Sequence, residues 1–298
     1  MKYKNVIGSL IGLALIAYFV YTIDVKAALS HLRTALLPWI LAGLMCYLGS
    51  MVLRTQKWRI ILSDSVEFSH LLAIMFLGWL ANYVLPAKSG ELYRVHLLKK
   101  EGTPYSEGAS SVLIERGFDF FALITCAIVL SFAIEETTFY ETITYAFLIV
   151  FPIVGLVFAL YMMRKRISKL QEYLSLFETL SIEKSSTLMV YSIAAWALEI
   201  LAAYLIFLSI ASFPFLPFAL GFIIVMLVAA VPSSPGSVGT LEVAWVYAFS
   251  VLGLAEEIAG ATAILFHVSQ YVFILVCGSI SFLYLHSFSN SQSTSQDS

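Results

Sequence analysis

Long apolar runs leave this chain few ways to fold. Residues 6–21 are apolar behind Lys2 and Lys4, and five longer runs follow at 36–53, 117–134, 145–163, 188–213 and 258–285. Each of the five has about 18 residues or more, roughly 27 Å of helix at ~1.5 Å per residue, enough to cross the hydrocarbon core of a bilayer. Only helices and closed barrels satisfy their backbone there, and the alternating pattern of a barrel strand is not seen. Composition agrees: 60% of the 298 residues are hydrophobic, 12% are charged, and mean hydropathy is +0.89. So few charges cannot cover a soluble domain, which excludes a soluble enzyme, a nucleic-acid binder and a disordered chain. The net charge of −2 gives no signal for a polyanionic partner. Cys46, Cys126 and Cys277 are scattered in apolar runs, which suits small core fillers rather than a disulfide framework or a zinc site.

The first run is expected to stay as a span. The nearest small-x-small cleavage site, Ala28 to Ser30, lies beyond Asp24 and Lys26. Two further apolar runs are short and broken. Residues 71–85 stop at Pro86 and Gly90 and continue as a polar helix over 91–100. Residues 218–231 stop at Pro232, Pro235, Gly236 and Gly239 and resume at 241–252. Such pieces suit helical hairpins that enter and leave by one face.

With a cytoplasmic N-terminus and both broken runs re-entrant, all of the 17 basic residues except Lys26 and Arg33 fall on the cytoplasmic side. The outer loops take Glu135, Glu136, Glu141, Glu256 and Glu257. The group Arg164, Lys165, Arg166 and Lys169, followed by Leu170, Tyr173, Leu174 and Phe177, reads as a surface helix on anionic lipid.

The expected fold is an all-α polytopic membrane protein, multi-pass in the inner membrane, with both termini cytoplasmic. It has six full spans plus two oppositely oriented re-entrant helical hairpins in an inverted-repeat architecture. Residues 1–286 form one membrane domain, with repeats at about 1–138 and 139–286, and 287–298 form a disordered Ser/Gln-rich tail. The repeat is carried by residues 84–90 echoing 230–236, and by Arg116, Asp119 and Phe120 echoing His267, Gln270 and Tyr271. An inverted repeat places a substrate path near mid-membrane, lined by broken helices.

The stretch 82–94 (Asn-Tyr-Val-Leu-Pro-Ala-Lys-Ser-Gly-Glu-Leu-Tyr-Arg) resembles the signature of the lysylphosphatidylglycerol synthase transmembrane region, a flippase-like membrane family. Further matches are Glu115-Arg116 with Asp119, Arg54 with Lys57-Trp58-Arg59, the run from Trp196 to Glu199, and residues 234–239 with Glu242. The resemblance implies movement of lipids, such as aminoacylated phosphatidylglycerol, between leaflets. Its best-known members carry a cytosolic aminoacyl-transferase domain after the membrane region. Here only the short tail follows residue 285, so lysyl-lipid synthesis is not expected. His267 also departs from the family, whose members often have Arg there; a fixed charge gives way to one that titrates near neutrality.

The charges inside apolar sequence are the candidate substrate-binding residues. Glu199 sits near the centre of its run, where an acid costs about 2.5–3.5 kcal/mol to insert, so it needs a partner, a cavity or a proton. Glu115 and Asp119 stack four apart with Arg116 three before Asp119. That trio suits either a structural clamp or an Arg free to meet a lipid phosphate. Lys88, Glu91 and Arg94 follow the first break, at a helix N-terminus able to receive phosphate or simply anchoring the positive side. Arg54, Lys57 and Arg59 end a span with Trp58, as an interfacial stop does; Arg54 is the deepest. At the outer break Ser233, Ser234, Ser237 and Thr240 supply hydroxyls, which serve a ligand or the loosened backbone. Glu242, His267 and Gln270 add polar and ionisable groups there.

No cofactor, nucleotide loop or metal pair is indicated. The leading expectation is a translocase for a phosphate-bearing lipid with an anionic or zwitterionic headgroup. The alternatives are an intramembrane enzyme acting on a lipid-linked phosphate or sugar, and a scaffold for a separate lipid-modifying enzyme.

Overall fold

A computed structural model describes residues 30–85, 89–131, 175–230 and 234–296. The expected spans at 6–21 and 145–163, the basic surface helix, Lys88 and Ser233 lie outside the described residues. Every regular element among those described is helical: α1 (Leu37–Ile61), α2 (Phe68–Val84), α3 (Gly90–Lys100), α4 (Tyr105–Ser131), α5 (Ile182–Leu208), α6 (Phe215–Ala229), α7 (Thr240–Val251) and α8 (Glu256–Gln296). Short 3-10 turns at Ser175–Thr179 and Pro235–Ser237 precede α5 and α7.

The boundaries follow local chemistry. A proline in the first turn starts α1, where its missing N–H costs nothing. Ser181 caps α5 by accepting the Lys184 N–H at 3.1 Å. α1, α5 and residues Glu256–Ser287 of α8 are long and apolar enough to cross a membrane. α2 and α6, of 17 and 15 residues, are apolar but shorter. The expected span at 117–134 begins inside α4, which starts at Tyr105 and carries its charges between Glu107 and Asp119. α8 continues helically to Gln296, through the Ser/Gln-rich stretch expected to be unstructured, because extending a formed helix is cheaper than nucleating one.

Two apolar cores pack side by side. One joins α1, α2 and α3 through Tyr47, Met51, Trp58, Leu71, Ile74 and Leu98. The other surrounds α6 and α7 with stacked aromatics: Phe207, Phe218, Phe222, Trp245, Phe249 and Phe266. On α8, Val268, Val272, Leu275, Val276, Ile280 and Leu283 are exposed. Such a continuous apolar stripe is a liability in water and a natural surface against lipid tails.

The two short apolar helices each end at a break. At the first, α2 and α3 approach so closely that a side chain on Gly90 would strike the Gly78 carbonyl and the Asn82 amide. Asn82 Oδ1 accepts the Gly90 N–H at 2.8 Å, which seats the start of α3 on α2. At the second break Gly236 has φ +60, a left-handed conformation that glycine adopts without steric cost. There the Tyr271 hydroxyl occupies the space a β-carbon would need.

Candidate functional site

Between the breaks lies a cavity of about 300 Å³. Its wall takes Tyr47 from α1, Trp79, Asn82 and Tyr83 from α2, Glu91 from α3 and Arg116 and Asp119 from α4. The opposite wall takes Trp196 and Glu199 from α5, Ser234, Gly236 and Ser237 from the second break, and His267 and Gln270 from α8. One chamber therefore receives residues from both breaks and from the longest helices.

One side of the chamber backs onto a ladder of alternating charges. Glu199 accepts from Arg54 Nη2 at 2.6 Å, and Arg54 Nη1 pairs with Asp119. Arg116 stands 3.5 Å from Asp119 and 2.7 Å from Glu91. Arg94 links Glu91 at 2.9 Å to Glu115 at 2.7 Å. Lys57 pairs with Asp119 and donates to Ser192 Oγ at 3.0 Å. Four cations thus meet four carboxylates drawn from α1, α3, α4 and α5. Arg54, Lys57, Arg94, Glu115, Asp119 and Glu199 are all buried. Removing one member of such a set strands an uncompensated interior charge, at about 3–5 kcal/mol.

Indole rings floor the ladder. The Arg94 guanidinium lies 4.0 Å from the Trp58 ring centre, Arg54 lies 4.5 Å from Trp196, and Arg116 lies 5.4 Å from Trp79. A flat, weakly hydrated guanidinium suits a face-on aromatic contact better than an ammonium does.

Glu91, on the polar helix α3, shows how the ladder sets charge. Burial works to raise its carboxyl, yet Arg116 and Arg94 outweigh burial and hold it below the ordinary carboxylate range.

The candidate residues separate into groups. Arg54, Glu91, Arg94, Glu115, Arg116, Asp119 and Glu199 all meet in the ladder. Of its cations, Arg116 lines the cavity and keeps 28% of its side chain exposed. Arg94 has both Nη groups and one face committed to protein partners and is absent from the cavity wall, because α3 turns it towards α4 and Trp58. Ser234, Ser237, His267 and Gln270 line the cavity from its far side. Glu242 lies just behind, on His267 Nδ1 and on the Gly239 N–H at 2.7 Å.

Two residues read as interfacial anchors belong elsewhere. Lys57 is 0% exposed, and Trp58, also 0%, donates to Ser111 Oγ at 2.9 Å. On α1 both turn towards α4 rather than outward. Arg59 alone of that group reaches the surface, 3.0 Å from Asp64. Tyr47 and Trp79 carry no mark in the sequence, since nothing in an apolar run shows which aromatic faces a cavity, whereas Asn82, Tyr83 and Trp196 enter the wall from stretches that carry the family resemblance. Among the described residues no group of three His, Cys, Asp or Glu side chains is placed to hold a metal ion.

Helices fit to cross a bilayer, a lipid-compatible exterior and a chamber lined in part by ion-paired side chains define an integral membrane protein with an internal cavity. The chain belongs to the family described as the lysylphosphatidylglycerol synthase transmembrane region, whose profile matches residues 5–278. It is 26% identical to a UPF0104 membrane protein of Methanothermobacter thermautotrophicus, across 78% of this chain and 80% of that relative. It is 29% identical to a UPF0104 membrane protein of Methanocaldococcus jannaschii, across 67% of this chain and 92% of that relative. A second Methanothermobacter UPF0104 protein is 25% identical across 93% of this chain and 94% of its own length.

Proposed function

We propose that the protein moves a phosphate-bearing lipid between leaflets, its headgroup passing through the cavity while the acyl chains stay in lipid. The observation that carries this reading is a surplus of donors. Tyr47 Oη, Trp79 Nε1, Trp196 Nε1 and Arg116 Nε are buried and have no hydrogen-bond partner among the described residues, and all four belong to residues of the chamber wall. Indole and guanidinium nitrogens only donate, so a ligand that comes to pair with them brings acceptor oxygens, as a phosphate or a phosphate-linked sugar does. Arg116 is the headgroup contact. Arg94 is a positioning residue that holds Glu91 and Glu115. Nearby acids suit a zwitterionic headgroup as well as an anionic one.

The same proposal includes the finer architecture: six spans, with α2/α3 and α6/α7 as re-entrant hairpins of opposite direction. In its favour, 17 and 15 helical residues reach only about 26 and 22 Å at ~1.5 Å each, short of a ~30 Å core. The partner class is membrane lipid, the location the inner membrane, and the termini cytoplasmic; the protein acts as a transporter rather than a catalyst.

Headgroup accessibility in proteoliposomes, over a panel of phospholipids and lipid-linked phosphates, tests this. The wild type should move one class with lipid mass unchanged, and Arg116→Ala should slow it by about tenfold or more, as loss of a charge-assisted hydrogen bond predicts. Chemical turnover, no movement, or equal movement by a folded Arg116→Ala protein would overturn the reading. Single cysteines replacing Lys88 and Ser237 should label from opposite faces; labelling from one face would refute the opposed hairpins.

A further inference from the structure

The second break is held by a different chemistry from the ladder. His267, on α8 and 3% exposed, has an acceptor at each ring nitrogen. Nδ1 meets Glu242 Oε1, and Nε2 stands 2.9 Å from the Gly236 carbonyl oxygen. A neutral imidazole carries a single N–H, so it donates to one of these partners and turns a lone pair towards the other. Both contacts hold together only when the pair carries one additional proton, on Nδ1 or on the carboxyl, shared between them.

That proton ties three elements together. Glu242 also receives the Gly239 N–H at 2.7 Å, which fixes it at the start of α7. Gly236 belongs to the Pro235–Ser237 turn, and His267 belongs to α8. The groups facing His267 are few. Glu242 comes from α7; Tyr271 on α8 and Tyr83 on α2 lie with ring centres 5.0 and 6.2 Å away. Tyr83 donates to Gln270 at 3.3 Å. Glu91, Arg116, Asp119 and Glu199 line the same cavity. Glu242 is thus the only carboxylate among the described residues paired with His267.

We propose that His267 and Glu242 form a proton-binding site that latches the second break. With the shared proton bound, α8, the turn and α7 are joined, and that end of the cavity is closed. When the proton leaves, a carboxylate faces an imidazole lone pair, the pair carries one buried negative charge, and the contact to Gly236 or to Glu242 parts. Gly236 and His267 are wall residues, so parting them opens the chamber at that end, with one proton exchanged per opening. The consequence for transport rests on the lipid-path reading above; the proton site itself does not.

Histidine-selective ¹⁵N NMR of the full chain in lipid nanodiscs reads the proton directly, with His267→Gln assigning the signal among the five histidines. Hydrogen exchange of residues 234–242, corrected for intrinsic pH dependence, reads the latch. The His267 signal should pass through one transition between about pH 5 and 9, and its position should change in Glu242→Gln. Protection of 234–242 should fall by about tenfold on the deprotonated side in the wild type. In His267→Gln it should be the same on both sides. A His267 signal constant across that range, or protection unchanged through its transition, would overturn the proposal. A working latch in a protein that moves no lipid would remove the lipid path and leave the proton site standing. Lipid movement with an untitrated His267 would do the reverse.

Discussion

The two breaks solve one problem with different materials. At the first, α2 and α3 close over a glycine contact, and guanidinium groups that stay charged at any physiological pH tie α3 to α4. At the second, α6 and α7 turn through apolar and hydroxyl residues, and a histidine–carboxylate pair joins the turn to α7 and α8. Charges that cannot titrate make a permanent fixture. A pair that shares one proton makes a joint with two states. The contrast assigns rigidity to the charged side of the cavity and mobility to the side that looks simpler in sequence.

The largest expected effect falls on the permanent side. Arg54→Met strands the Glu199 carboxylate, leaves Asp119 to Lys57 and Arg116, and should cost about 3–5 kcal/mol of stability, seen as a large drop in the thermal midpoint in detergent. His267→Gln should cost less, since Glu242 keeps the Gly239 N–H. Equal losses would erase the contrast.

The glycines come next. Gly90→Ala pushes a β-carbon against backbone and should lose about 1–3 kcal/mol. At Gly236 the obstacle is the tip of Tyr271, so Gly236→Ala loses mainly the cost of its positive φ, about 1–2 kcal/mol, and Tyr271→Phe should recover part of the remainder.

Acid sharpens the comparison further. Glu91 is held below the ordinary carboxylate range, so its contribution is whole at neutral pH and disappears as pH falls through that lowered value. Unfolding midpoints of wild type and Glu91→Gln should therefore stay apart at neutral pH and converge only in strong acid. Smallest of all, Ser237→Ala removes a long 3.5 Å contact to the Ala229 carbonyl and should change stability by no more than about 0.5 kcal/mol.

Much of the ladder could be read in the chain. Glu199, Asp119, Arg116 and Glu115 stand out because an ionisable residue in apolar sequence requires an internal explanation. Lys57 escaped the same reasoning because it sits three residues from Arg54, at the end of a span, where positive charge is ordinarily an anchor. Only the direction in which α1 faces distinguishes it from Arg59. Arg94 was visible as a charge beside a break, but whether it served a ligand or a neighbour depended on α4 lying within reach.

By itself the sequence determined the solvent and the elements: long apolar runs force helices in lipid, and proline with glycine forces breaks in two of them. It also selected nearly every charge that needed a partner, because an unpaired charge in an apolar run is expensive wherever it lands. Tertiary structure alone decided which charges met, since partners as distant as Arg54 and Glu199 are joined by helix packing and not by spacing. It also decided that His267 would face two acceptors at once. That arrangement exists only where α7, α8 and the turn converge, and it converts an ordinary titratable residue into a joint.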